Sequence, residues 1–195
     1  MQFKTALLAF ATLLAAAAVS SAAVDLGTPT SGTPYEPYMQ PVKKVLGSLA
    51  SSGTSLDRVR ELMREGRSFR YSFTEPYVAQ LPATTARTRT GDCKAKSLWI
   101  ADQIGDRNNI RYVIGKARRT SKISHAWIMW NDGGQWWILD CTNASRPIAA
   151  DSVSTSEYIP LYSYDSRRSY RHAATQIFTA STGTPTIAVA GNSQK

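Results

Sequence analysis

Cys93, His125 and Asp140 stand in that order within residues 91–140. Cys93 lies in Gly91-Asp92-Cys93, His125 in Ser124-His125-Ala126-Trp127, and Asp140 closes Trp137-Ile138-Leu139-Asp140. A thiol needs a base to become a nucleophile, and the base needs an acceptor that fixes its tautomer. These residue types can supply all three roles. The chemistry they point to is attack on a carbonyl through a transient acyl–sulfur bond.

Such a triad needs elements that bring its members together. Gly91-Asp92 is a turn signal, and Asp92 is a candidate N-cap. Behind it Cys93, Leu98, Ile100, Ala101 and Ile104 cover one side and one end of a helix ending near Gly105. Cys93 then sits in the first turn, where unpaired backbone N–H groups and the positive end of the dipole favour a thiolate. Lys94 and Lys96 are expected to push the same way. A free Cys is otherwise a small buried hydrophobe; the place at a helix start favours the reactive role.

His125 and Asp140 are placed by strand register. Residues 125–131 and 135–141 are rich in Trp and Ile and read as strands, separated by Asn131-Asp132-Gly133-Gly134. Asp-Gly is a strong hairpin signal, because a type I′ turn needs positive φ at both central positions. With Asp132-Gly133 as the turn, Ile138 faces Trp127 and Asp140 faces His125, with directly opposed Cβ atoms about 5 Å apart. With Gly133-Gly134 as the turn, Asp140 is diagonal to His125 but on the same face. A three-residue loop reverses the parity and puts Cys141 there instead. Trp127 and Trp136 fall on the His125 face, as core or as the roof of a cleft.

Gly-Asp-Cys before a helix, then Arg111-Tyr112-Val113-Ile114-Gly115, His125-Ala126-Trp127 and Trp137-Ile138-Leu139-Asp140-Cys141-Thr142 resemble the core of the transglutaminase-like superfamily. That superfamily includes bacterial transglutaminase-like cysteine proteinases. The likeness covers roughly residues 69–143. It implies an α+β fold with a papain-like core, in which a Cys at a helix N-terminus packs on an antiparallel sheet carrying His and Asp. It further implies Cys93 as nucleophile, His125 as base and Asp140 as orienter. It favours proteolysis or amide hydrolysis over protein cross-linking. The chain departs from the family's usual pattern at Lys94 and Lys96, where an acidic residue pair is common, and at Cys141, where Pro is common. A binding or scaffold module that keeps the fold without turnover is the competing function.

Acyl chemistry also needs donors for a developing oxyanion. The backbone N–H of Cys93 is one. The second is expected from residues 75–90, a long Pro- and Thr-bearing stretch read as a loop, with the Gln80 amide as candidate and the Tyr77 hydroxyl as alternative. His172 is the rival base, but nothing places it near a carboxylate or thiol, so it is expected at the surface.

The ends and the composition frame this core. Lys4 followed by the apolar run 6–19 and the small residues 20–23 reads as an export signal, and the run is too short for a membrane span. The expected organisation is a signal peptide over 1–23, a flexible linker over 24–40, one transglutaminase-like domain over 41–172, and a loose tail over 173–195. A helix is expected over 39–50 and another over 56–65 with Gly66 as its stop, then a strand over 69–73. The expected location is periplasmic or secreted. A formal net charge of +9 suits anionic envelope polymers as well as a peptide, protein or cell-wall peptide substrate. The scattered basic residues and absent motifs exclude nucleic acid as a partner. No cofactor-binding motif or metal-ligand cluster is present. An exported protein with two cysteines raises a Cys93–Cys141 disulfide; if Asp140 faces His125, Cys141 points away and the thiols stay apart.

Overall fold

The computed structural model describes residues 24–175, so the expected signal peptide, and the expected tail from 176 on, lie outside the described residues. In chain order the elements are β1 (Thr28–Thr30), α1 (Gln40–Ser48), α2 (Leu56–Ser68), β2 (Arg70–Tyr71), α3 (Pro82–Thr88), β3 (Thr90–Gly91) and α4 (Cys93–Ile104). There follow β4 (Ile110–Arg118), β5 (His125–Asp132), β6 (Gln135–Leu139), β7 (Ile148–Ala149), β8 (Glu157–Tyr164) and β9 (Ser169–Arg171). Seven strands form one antiparallel sheet in the order β1-β9-β8-β4-β5-β6-β7. The fold is mixed helix and antiparallel sheet, an α+β arrangement.

Side-chain alternation along β5 divides the interior in two. Ala126, Ile128 and Trp130 join the main core with Leu46, Leu62, Leu98 and Ile100 from the helices. Trp127 and Met129 join Val113 and Ile138 in a smaller cluster, covered by Val24, Leu26 and Tyr158 among others. The helix α4 lies against β5 and is buried over nearly its whole length. A helix held on several sides cannot drift, which fixes the direction of its first turn.

Three segments differ from the sequence reading. The stretch 24–40, expected as a linker, carries β1, paired with β9, and a 3-10 turn at Glu36–Tyr38; Tyr35 and Met39 are 3% exposed. Its Thr, Pro and Gly content hides isolated anchors that show no period. Within the expected loop 75–90, α3 forms with Pro82 in its first turn and Arg89 at φ 49° as its left-handed cap. Arg89 is held there by its guanidinium over the Phe69 ring (4.7 Å) and a bond to Ser68 Oγ (2.9 Å).

The third difference is Gly66, which does not end its helix. Ser55 caps α2 by accepting from the Arg58 N–H, and the helix runs on to Ser68. A Cβ at Gly66 would stand 2.7 Å from Trp99 Cζ3 and 2.8 Å from Cys141 Sγ. Gly is required here by close approach of α4 and the strand end, not by a turn. Gly66→Ala should therefore destabilise the fold by about 1–3 kcal/mol through overpacking, against the gain Ala normally brings inside a helix. Thermal unfolding checks this; an unchanged or raised Tm would contradict the packing argument.

Candidate active site

Asp92 caps α4 as expected: its Oδ1 accepts the Ala95 N–H at 3.1 Å, and Gly105 at φ 72° ends the helix. Cys93 is the first residue of α4 and is partly exposed, with its backbone N–H outside the helical ladder. The neighbouring lysines do less for it than the sequence suggested. Lys94 pairs with the Asp92 carboxylate and lies 5.0 Å from the centre of the Phe73 ring. Lys96 is buried and donates to the Phe69 carbonyl at 2.6 Å. Burial pulls its ammonium pKa down, with Cys141 and Asp140 opposing. It secures β2 to the helix.

The β5–β6 hairpin takes the second register. Asp132 pairs with Gln135, so the turn is Gly133-Gly134, at φ 58° and 98°. A type I′ turn needs positive φ twice, and two glycines adopt it at less cost than Asp-Gly. Asn131 Oδ1 accepts the Gly134 N–H at 3.0 Å and reinforces this choice. Asp140 is therefore diagonal to His125 on the same face, and its carboxylate still reaches across: His125 Nε2 lies 2.8 Å from Asp140 Oδ2. With Nε2 committed to Asp140, Nδ1 is the ring nitrogen left for the thiol, and Cys93 joins Asp140 in raising the imidazole pKa.

Asp140 is almost fully buried, and five donors converge on it. Oδ2 accepts from His125, from Asn143 Nδ2 at 2.8 Å and from the Tyr158 hydroxyl at 3.1 Å. Oδ1 accepts the N–H groups of Thr142 (3.0 Å) and Asn143 (3.3 Å). Burial works against the charge, but these bonds and the His125 charge hold the carboxyl below its usual pKa. Burial likewise opposes a charged imidazole; the bonds to Asp140 and Cys93 outweigh it and push His125 up to about 10. At neutral pH the arrangement holds a proton on His125 beside the Asp140 carboxylate.

Asn143 and Tyr158 are the residues that sequence reading missed. Asn143 had a readable signal: Asp140 followed by polar residues two and three positions on is the pattern of a side chain that bonds its own backbone. Tyr158 had none. It takes φ 44°, a strained value for a bulky residue, and sets its ring edge-on to Trp127 at 5.6 Å. Trp127 in turn stacks 6.1 Å from His125, so it is both core and neighbour of the site. Gly115 faces His125 across the β4–β5 ladder, where β4 also slips register against β8; a Cβ there would stand 2.2 Å from the Ile159 carbonyl oxygen.

The remaining expected residues fall elsewhere. Gln80 is not brought to the thiol: its Nε2 donates to Thr85 Oγ1 (3.1 Å) and the Thr90 carbonyl (3.2 Å), bracing α3 against β3. Tyr77 lines the cleft and stacks on Tyr38 at 4.6 Å. His172 is buried rather than at the surface, with Nε2 2.9 Å from Ser163 Oγ and Nδ1 3.3 Å from Asp25 Oδ1. It ties the N-terminal arm to the sheet, which its polar neighbours make tolerable. Both cysteines are free; Cys141 is buried, its S–H directed at Met63 Sδ (3.6 Å) and its pKa raised by burial and then by Asp140.

Cys93 and His125 line one cleft of about 70 Å³, with Tyr35, Met39, Tyr71, Phe73 and Ile123 in its walls. Among the described residues no group of three His, Cys, Asp or Glu side chains could hold a metal ion, and no helix is long and apolar enough to cross a membrane.

No family description matches the chain, and no curated protein matches it. Among solved structures it is similar to Legionella pneumophila LapG, with 14% identity, 77% of this chain and 87% of that chain covered, and a TM-score of 0.46. For calcium-bound LapG the identity is 14%, the coverage 72% and 81%, and the TM-score 0.48. A Cytophaga hutchinsonii structure, described as a candidate cysteine protease, gives 18% identity, coverage of 74% and 61%, and a TM-score of 0.37.

Proposed function

We propose that this protein is an exported thiol enzyme that hydrolyses amide bonds in peptides or proteins, with Cys93 as nucleophile, His125 as acid and base, and Asp140 as its orienter. The observation that carries the reading is the His125 ring, bonded to Asp140 at 2.8 Å and lining one open cleft together with the partly exposed Cys93. The Cys93 sulfur attacks the carbonyl carbon, and a C–S bond forms as the oxygen takes up charge. The Cys93 backbone N–H is one donor to that oxygen, and Tyr71 and Tyr77, which line the cleft, are candidates for the second through their hydroxyls. The C–N bond then breaks, and His125 hands its proton to the leaving amine. Water, deprotonated by His125, adds to the thioester and frees the acid and the thiol.

Hydrolysis is preferred to cross-linking because water is always present and no carboxylate that would hold a substrate ammonium is among the residues lining the cleft. A non-catalytic module would be favoured by a sealed thiol, and Cys93 is partly exposed. The deciding experiment is cleavage of quenched peptide pools by wild type and Cys93→Ala, together with iodoacetamide labelling at neutral pH. Cleavage lost by at least about 10³-fold in the variant, with Cys93 rather than Cys141 alkylated in the wild type, is the expected result. Equal cleavage by both proteins defeats the reading.

A further inference from the structure

The walls around the thiol carry information about what it acts on. Large apolar side chains are strongly exposed at only a few described positions, namely Tyr71 (53%), Phe73 (41%), Val78 (44%), Leu81 (55%) and Ile123 (46%). Three of them, Tyr71, Phe73 and Ile123, line the cleft that holds Cys93 and His125. Behind them the cleft is walled by Tyr35 and Met39, both nearly inaccessible from outside. Exposed apolar surface gathered at one place marks a contact for something apolar. The other charged side chain in the lining besides the triad's imidazole, Lys94, is engaged by Asp92 and lies on the Phe73 ring. It offers little to an acidic substrate group.

The rim is also built for its place. Tyr71 pairs with Gly91 across the two-residue parallel ladder of β2 and β3, two positions before the nucleophile. The Ser72 N–H donates to the Gly91 carbonyl at 3.2 Å and holds the chain to Phe73 on the same side. Ile123 comes from the opposite side, two residues before His125. The apolar rim is thus tied to Cys93 through the β2–β3 hydrogen bonds and to His125 through the chain itself. A cleft of about 70 Å³ admits about five waters, at roughly 10–15 Å³ each. Expelling them would make room for one branched aliphatic or aromatic side chain.

We propose that the site selects polypeptide substrates carrying a large apolar side chain, aliphatic or aromatic, on a residue adjoining the scissile carbonyl. This rests on the thiol-hydrolase reading above. Removing such a side chain from water is worth on the order of 10- to 100-fold in kcat/KM over glycine at that position.

Two readouts test it on the full-length protein. Alkylation rates of Cys93 by iodoacetamide and by its N-phenethyl amide are compared, each divided by the rate for free N-acetylcysteine. The expected ratio favours the phenethyl reagent by about tenfold or more, and Ile123→Ser and Phe73→Ser, neutral changes at exposed positions, each lower that ratio, with the same variant's iodoacetamide rate as its reference. Quenched peptides with Phe or Leu beside the cleaved bond should be turned over faster than those with Gly, Glu or Lys. Equal normalised rates, or a preference for a charged side chain, overturn the apolar selection while the thiol chemistry stands. Absence of alkylation by either reagent overturns the thiol reading and this inference with it.

Discussion

Asp140→Asn should lower kcat on the order of 10³- to 10⁴-fold, with KM changed little. The carboxylate accepts from His125, Asn143 and Tyr158 at Oδ2 and from two backbone N–H groups at Oδ1. An amide offers one acceptor oxygen and one donor nitrogen. With the nitrogen at the Oδ2 place, it meets three donors head-on; with the nitrogen at the Oδ1 place, it meets two. Either way the imidazole loses the charge that keeps its proton, and with the nitrogen at the Oδ2 place it also loses the bond that fixes its tautomer. The backbone turn through Thr142 and Asn143 also loosens, so a drop in Tm accompanies the drop in rate. Tyr158→Phe is the graded comparison. It removes one donor at 3.1 Å and leaves the other four, and its cost should be smaller by at least about tenfold. Steady-state kinetics on both variants, with circular dichroism to confirm the fold, reads the order. An Asp140→Asn enzyme within about tenfold of wild type would remove Asp140 from the machinery.

This sensitivity follows from how the site is built, and only part of that construction is legible in the sequence. The helix under Cys93 is legible, because its start and stop depend on neighbours in the chain: Asp92 bonds the N–H three residues on, and Gly105 adopts the left-handed cap. The His125–Asp140 pairing is legible to within one register step. Side-chain parity is set by whether the turn has two residues, while the step depends on which two residues accept positive φ. What is not legible depends on contacts far along the chain. Gly66 resembles a helix stop until Trp99 and Cys141 are seen pressed against it. Lys96 resembles a solvent-facing cation until Phe69 offers its carbonyl inside. Tyr158 reaches Asp140 only because β8 slips register against β4 near Gly115 and its own backbone turns to φ 44°. No local pattern encodes that combination. Gln80 illustrates the converse. An amide in the right stretch satisfied the chemical requirement, but Thr85 and the Thr90 carbonyl, five and ten residues on, claimed it.

The pH profile of kcat/KM should be broad, with its alkaline limb far above the ordinary histidine range. Burial alone would discharge His125, but its bonds to Asp140 and Cys93 raise it from 6.5 to about 10. The sign is that of a raised group: the imidazolium is present below the raised value and lost as pH climbs through about 10. Acyl transfer needs that proton for the leaving amine, so the rate falls on that side. The acid limb belongs in part to Asp140, whose pKa lies below its usual 3.8; burial resists this, and the His125 bond and charge lead the groups that lower it. A lowered carboxylate remains charged above its folded value and is lost as pH falls through it. Asp140→Asn removes the largest influence holding His125 up and leaves burial acting against the charge. Residual activity in that variant should therefore lose its alkaline limb at a pH lower by at least about one unit. Wild-type and variant profiles between pH 4 and 11, with Cys93 alkylation rates measured in parallel, make the comparison. A wild-type alkaline limb near 6.5, or one that stays in place when Asp140 is replaced, would show that the aspartate does not set the protonation of the histidine.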